Sequence, residues 1–468
     1  MQEDGFKREA YVALLEWKSK NKSSSSKKAM LGDGARQIGK TCLIEDFAKN
    51  EYDQVVKIDF ITDLQARQNF LSIKNTEDAV EALSLVLGKK LIPGKTLIFF
   101  DEVQEVPEIL TFSKYLVQDG RFDLIMSGSL LGIELKGIRS FPVGYLSILH
   151  MTPMSFEEFC WANEVPSFAL KHVRQCFEEK TQVKDNIHDY FVDLFRHYLV
   201  VGGMPEAVKS SIDCDGDLGR VRETCSELVN LYREDISKYS KNRSLQIKAI
   251  FDAIPAQLAK ENKRFQLKTI EDKAKFERFA NDFEWLTASC VVLKVQNVSE
   301  PKLMLARTAQ SGRFKLYSSD VGMLMSQYPA ATSIAALQGE KSVNFGAVYE
   351  NFFAQELQHA GCHLYYYRNN RKGEVDFLIE TQAGDVLPVE IKSGKDYKVH
   401  RALNNLLETK EYGISAGVVL SEDNVSKTVI EGKEIDYLPI YMSGFLIDQL
   451  TEIPETLKRS FPVPKLNN

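Results

Sequence analysis

The octapeptide GARQIGKT, Gly34 to Thr41, fits the pattern G-x-x-x-x-G-K-[ST] and limits the fold more than any other stretch of the chain. Such a loop works only at the junction of a strand and a helix. Its glycines let backbone N–H groups wrap around phosphate oxygens, and the lysine reaches the β- and γ-phosphates. The hydroxyl that follows ligates Mg²⁺ at a helix N-terminus. Gly34, Ala35, Arg36, Gln37, Ile38, Gly39, Lys40, Thr41 and Cys42 are therefore the candidate contacts to a nucleoside triphosphate. Behind the loop, Leu43, Ile44 and Phe47 recur at helical spacing. Ahead of it the strand is poor, with only Ala29, Met30 and Leu31 apolar before Gly32 and Asp33.

A phosphate loop needs a second motif, and LIFFDEVQEVP (Leu97 to Pro107) supplies it. An apolar strand ending in Asp101 and Glu102 puts one carboxylate where it holds Mg²⁺ and another where it prepares a water for attack. FDLIMSGS (Phe122 to Ser129) ends the next apolar run in small polar residues, and Ser127 or Ser129 is placed to sense the γ-phosphate. Together with VVKIDF (Val55 to Phe60), these runs read as buried parallel strands alternating with helices, the signature of an α/β domain.

At 468 residues the chain exceeds one ordinary core. The patterns divide it into a nucleotide-binding α/β domain over 1–165, a mostly helical region over 166–342 and a second α/β unit over 343–468. In the middle region, helices followed by CVVLKVQNV (Cys290 to Val298) and FKLYSS (Phe314 to Ser319) fit a winged helix or a structural helical domain. KSKNKSSSSKK (Lys18 to Lys28) reads as a solvated linker or a basic tether. A net charge of −6 gives no overall basic field for nucleic acid, so any such contact must be a local patch. Seven scattered cysteines without a CxxC suit reduced thiols. No apolar signal segment or membrane-spanning run is present, so no membrane contact and a cytoplasmic location are expected.

The order of GARQIGKT, IFFDEVQEVP, SGSLLG (Ser127 to Gly132) and MTPMSFEEFCWA (Met151 to Ala162) resembles a widespread prokaryotic family of AAA-type P-loop ATPases. That family joins the ATPase to a C-terminal domain of unknown function related to restriction endonucleases. The resemblance continues through YLVVGGMPEAV (Tyr198 to Val208), LYREDISKY (Leu231 to Tyr239), FKLYSSDVGML (Phe314 to Leu324), VYENFFAQEL (Val348 to Leu357) and EVDFLIE…PVEIKSGKDYKVHRAL (Glu374 to Leu403). It implies ATP and Mg²⁺ as cofactors and a homo-oligomer as a candidate assembly. Two positions depart from the family pattern. Gly32-Asp33 is polar where relatives are apolar, and Gly144 is followed by Tyr145 where relatives often carry arginine. The arginine finger is thus unassigned, with Arg139 a nearby candidate or a surface residue.

The C-terminal unit reads αβββαβ, the order of PD-(D/E)xK nucleases. In PVEIKS, period-two geometry puts Glu390 and Lys392 on one strand face, with Asp376 of EVDF beside them and Glu350 reaching in from the preceding helix. Carboxylates of Glu350, Asp376 and Glu390 form a candidate Mg²⁺ site, and Lys392 is placed to stabilise phosphate charge. Arg368, Arg371, Lys372, Lys395, Lys398 and Arg401 are candidate phosphate contacts or a solvated rim. DCDGDLG (Asp213 to Gly219) lacks the glycine and glutamate spacing of a calcium loop, and the tyrosines of YYY (Tyr365 to Tyr367) read as strand core.

The chain therefore reads as an ATPase in which Lys40 and Glu102 act on the nucleotide while Thr41 and Asp101 hold Mg²⁺. Two uses of ATP stay open. One is an enzyme that cleaves DNA through Asp376, Glu390 and Lys392. The other is an ATP-gated switch whose nuclease-like domain only binds DNA or protein.

Overall fold

The computed structural model describes residues 5–454 except 24–25, 74, 107, 129–143, 240–242 and 395. Ser129, Arg139 and Lys395 lie outside the described residues. The first sheet holds β1 (Ala29–Asp33), β2 (Gln54–Asp59), β3 (Thr96–Asp101), β4 (Asp123–Ser127) and β5 (Leu146–His150). Its order is β2-β3-β4-β1-β5, and every pairing is parallel. Strand β1 is buried along its whole length between β4 and β5, despite its polar end. Two local contacts explain this. Gly32 packs against Ile44 of the helix Lys40–Glu51, where a Cβ would stand 3.4 Å from Ile44 Cδ1, in ordinary contact. The buried Asp33 carboxylate pairs with His150 Nδ1 at 3.1 Å.

Helices follow over Phe156–Ala162, Ser167–Glu179, Asp185–Val201, Pro205–Asp213, Leu218–Tyr239, Ser244–Leu258 and Phe276–Ala288. The second sheet contains β6 (Val292–Val298), β7 (Ala309–Ser318), β8 (Tyr365–Asn369), β9 (Gly373–Glu380), β10 (Val386–Ile391), β11 (Ala416–Ser421), β12 (Ser426–Ile430) and β13 (Lys433–Pro439). Its order is β12-β13-β11-β10-β9-β8-β6-β7.

Here the middle region departs from the expected winged helix. The β6–β7 hairpin is no separate wing, because β6 pairs in parallel with β8 and the hairpin becomes one end of the C-terminal sheet. The strand VLKVQNV buries residues on both faces, Val292 and Val298 on one and Leu293, Val295 and Asn297 on the other, so it needs cover on both sides, and a wing offers only one. The sheet thus crosses the expected boundary at 342/343. One apolar core also runs without a break from Phe47 below β1 to Ile447 near the end of the fold. Phe352, on the helix Gly346–His359, lies 4.9 Å from Phe195 and 6.4 Å from Phe156, ring centre to ring centre. All three tyrosines at 365–367 are buried. Among the described residues no helix is long and apolar enough to cross a membrane.

Candidate functional site

The turn after β1 is shaped by residues in left-handed conformations. Gly34 has φ 141° and a Cβ there would meet Met151 O at 2.3 Å, so the chain tolerates only glycine. Gln37 at φ 62° and Gly39 at φ 87° complete the curl into the helix Lys40–Glu51. Lys40 Nζ donates to Gly34 O at 2.9 Å and Ala35 O at 2.7 Å. Burial lowers its pKa below the usual lysine range, against the opposing charges of Glu102, Asp33 and Asp101.

Asp101 closes β3 and collects donors from three elements. Thr41 Oγ1 donates to its Oδ1 at 3.2 Å, and the hydroxyl of Ser127, at the end of β4, bonds the same oxygen. The Glu102 N–H donates to it at 3.2 Å, while Lys57 Nζ stands 3.4 Å from Oδ2. Glu102 sits at φ 56° and ψ 46°, unusual for a side chain with a Cβ, and Gln104 Nε2 donates to its carboxylate. Ser127, a candidate for γ-phosphate sensing, contacts Asp101, while Ser129 lies outside the described residues.

The loop is braced by residues that the motif does not predict. Arg8 donates from Nη1 to Ile38 O at 2.9 Å, from Nε to Glu158 at 3.0 Å and from Nη2 to Thr152 O at 2.7 Å. Arg36 Nη1 meets Asp235 at 2.9 Å, and the Tyr232 hydroxyl donates to Arg36 O at 3.1 Å. Nothing in the spacing of Arg8 marks it. Tyr232 and Asp235 stand inside LYREDISKY, a stretch that carries only the family resemblance. A cleft of about 380 Å³ opens beside the loop between Phe6, Arg8, Gln37, Gly39, Cys42 and Pro205. Its size suits a small-molecule site.

The helix Gly346–His359 links this region to the C-terminal carboxylates. At one end, Glu356 Oε1 accepts the Phe156 N–H at 3.0 Å, and His359 contacts Thr152 Oγ1 at 2.7 Å and Glu9 Oε2 at 3.3 Å. Burial pushes Glu356 up to about 7. Burial would lower His359, but the bond to Glu9 and the charges of Glu158, Glu9 and Glu356 raise it to about 9.

Toward the other end of the helix stands Glu350, and the expected residues do come together there. The antiparallel register of β9 and β10, with Val389 opposite Phe377, carries Glu390 alongside Asp376. Asp376 Oδ2 accepts the Ile391 N–H at 2.9 Å. Lys392 Nζ bonds Glu390 Oε1 at 2.9 Å, and Glu390 Oε2 is buried with no hydrogen-bond partner among the described residues.

The donor set does not fit a metal. Lys263 bonds Oε1 of Glu350, and Lys315 Nζ stands 3.1 Å from its Oε2. Both oxygens of the central carboxylate are therefore taken by ammonium groups. Among the described residues, no group of three or more His, Cys, Asp or Glu side chains is arranged to hold a metal ion. The candidate Mg²⁺ ligands Glu350, Asp376 and Glu390 thus stand together around fixed ammonium groups. Nearby, Arg368 is committed to Glu374 at 3.0 Å and Lys372 to Thr409 at 2.9 Å.

Residues 26–160 match the family model described as an AAA domain. Residues 192–333 and 345–441 match two domains of unknown function, DUF8612 and DUF4143. A comparison with curated proteins returns no match. Among solved structures, a Walker-type ATPase of Pyrococcus abyssi is 16% identical, with 70% of this chain and 97% of that chain covered at a TM-score of 0.41. The Orc1 protein of Aeropyrum pernix in complex with DNA is 11% identical, covering 71% of this chain and 91% of that one at 0.28. AMPPCP-bound DnaA from Aquifex aeolicus is 14% identical, covering 60% and 86% at 0.30. Likenesses at these TM-scores carry no assignment, and the residues 26–160 that match the AAA-domain model contain the phosphate loop, Asp101 and Glu102.

Proposed function

We propose that this chain binds ATP and hydrolyses it slowly with Mg²⁺, and that its C-terminal sheet responds to the nucleotide as part of a switch. The observation that carries this is the meeting of Thr41, Ser127 and the Glu102 N–H on one oxygen of Asp101, at the mouth of the phosphate loop. Thr41 and Asp101 offer the hard oxygens that Mg²⁺ prefers, and the bound ion would neutralise phosphate charge. Lys40 exchanges two neutral carbonyls for phosphate oxygens, which carry full charge. Glu102, held by Gln104, orients the attacking water. ATP is preferred to GTP on family resemblance, and the base-reading motif N-K-x-D is absent from the sequence.

Phosphate release from ATP and GTP with Mg²⁺, compared between wild type, Lys40→Ala and Glu102→Gln, tests the reading. Turnover that survives Lys40→Ala would assign the activity to a contaminant. The switch runs through Glu356 and His359, which tie the helix Gly346–His359 to Phe156, Thr152 and Glu9 beside the Arg8 brace of the loop. Homo-oligomerisation belongs to the same proposal, and sedimentation with and without ATP tests it.

A second reading, cleavage of DNA by Asp376, Glu390 and Lys392, has one observation in its favour: the buried, unpartnered oxygen of Glu390 beside Lys392. Strand breaks in plasmid made by wild type and not by Glu390→Ala would establish it.

A further inference from the structure

Lys315 belongs to β7, in the segment whose pattern fits a wing, and its side chain is fully buried at 0% exposure. Its Nζ stands 3.1 Å from Glu350 Oε2, 2.8 Å from Glu374 Oε1 and 3.6 Å from Asp376 Oδ1. An ammonium is a compact point charge with three donors, and here it is ringed by carboxylate oxygens from one helix and one strand. Those are the surroundings that a hard divalent cation takes. We infer that Lys315 is a built-in counter-cation standing where a metal would stand, so that this cluster anchors the helix Gly346–His359 and does not hydrolyse phosphodiesters.

Taking a charge out of water costs several kcal/mol unless its partners also satisfy its hydrogen bonds. Here they do. The Tyr317 hydroxyl donates to Glu350 Oε2 at 2.5 Å, and Lys263 covers the other oxygen. Burial would raise Glu350, yet Lys315 and then Lys263 hold it down to about 2. Burial would lower Lys315, yet Glu350, with help from Tyr317, Glu374 and Asp376, keeps it well above its ordinary value. Burial together with the charges of Glu350 and Glu390 pushes Asp376 upward. A divalent ion entering this ring would face the fixed ammonium groups of Lys315 and Lys263 at the carboxylate oxygens it needs.

Mn²⁺ binding to the full chain without nucleotide, read by the EPR signal of free Mn²⁺, tests the inference. The proteins are wild type, Asp376→Asn, Lys315→Ala and Lys315→Ala/Asp376→Asn. Wild type is expected to bind no Mn²⁺ that depends on Asp376. Lys315→Ala is expected to gain one Mn²⁺, with a thermal midpoint several degrees higher when the ion is added, and the double variant to lose both. Wild-type Mn²⁺ binding abolished by Asp376→Asn overturns the inference, as does a folded Lys315→Ala that gains no ion. Should Lys315→Ala fail to fold, Lys315→Met is compared with Lys315→Met/Glu350→Gln. The pair that removes cation and anion together is expected to be the more stable, and the opposite order also overturns the inference.

Discussion

The phosphate loop and the C-terminal cluster both set lysines among carboxylates, and they hold their lysines in opposite ways. At the phosphate loop, Lys40 rests on the backbone carbonyls of Gly34 and Ala35, while Asp101 is met by the hydroxyls of Thr41 and Ser127 and by half-buried Lys57. At the C-terminal cluster, Lys315 and Lys263 sit directly on the two oxygens of Glu350. Neutral carbonyls are acceptors that a lysine gives up readily when phosphate offers full negative charge. Buried carboxylates are not, because separating such a pair leaves two uncompensated charges in a dry interior. The first arrangement suits a site that must exchange ligands. The second suits a fixed anchor.

The largest expected effect that tests this contrast is on stability. Lys315→Met is expected to cost about 3–5 kcal/mol in denaturant unfolding, the usual result of breaking a buried ion pair. Lys40→Ala is expected to cost no more than about 1 kcal/mol in the same measurement, because its hydrogen bonds go to neutral carbonyls and no carboxylate among the described residues is bonded to it directly. Equal losses at the two sites would end the comparison.

Activity is expected to rank the same lysines the other way. Lys40→Ala should lower steady-state phosphate release by about 100- to 1,000-fold, the scale seen when one preorganised donor to a developing charge is lost. Glu102→Gln should lower turnover about 100-fold while leaving ATP affinity, read by fluorescent-nucleotide titration, within about threefold. A parallel loss of affinity would make Glu102 a residue that shapes the loop.

The smallest effect concerns the helix that joins the two sites. The raised pKa of His359, about 9, stabilises the fold fully below its ordinary value near 6.5, and that contribution is lost as pH rises through 9. Glu356, raised to about 7, favours the fold while protonated, and that contribution fades as pH climbs from its ordinary value near 4.5 to 7. The thermal midpoint of wild type should therefore fall between pH 6.5 and 9, and His359→Gln should flatten that part of the curve. An unchanged slope in the variant would remove His359 from the link.

Much of the first site is legible in the sequence, since its chemistry sits in short runs. GARQIGKT and LIFFDE each end a strand, and parallel pairing brings their ends to the same edge of the sheet. The weak point was β1, where Gly32 and Asp33 read as strand-breaking. Their partners, Ile44 and His150, stand on other elements, so no local pattern reveals how well they fit. Arg8 escaped for the same reason, with its three acceptors at Ile38, Thr152 and Glu158. At the second site, alternation along β9 and β10 was enough to place Asp376 beside Glu390. It gave no sign of Lys315, whose strand looked like part of another module until β6 paired with β8.

The sequence by itself determined the phosphate loop, the acidic strand end that faces it and the meeting of the C-terminal carboxylates, because strand and helix periods place side chains over a few residues. Only the tertiary structure decided what neutralises those carboxylates. Charge balance in a buried cluster depends on which distant segment supplies the cation, and Lys263 and Lys315 reach Glu350 only once the hairpin joins the C-terminal sheet. Electrostatic energy at short range in a dry interior is set by distance in space, and distance along the chain does not report it.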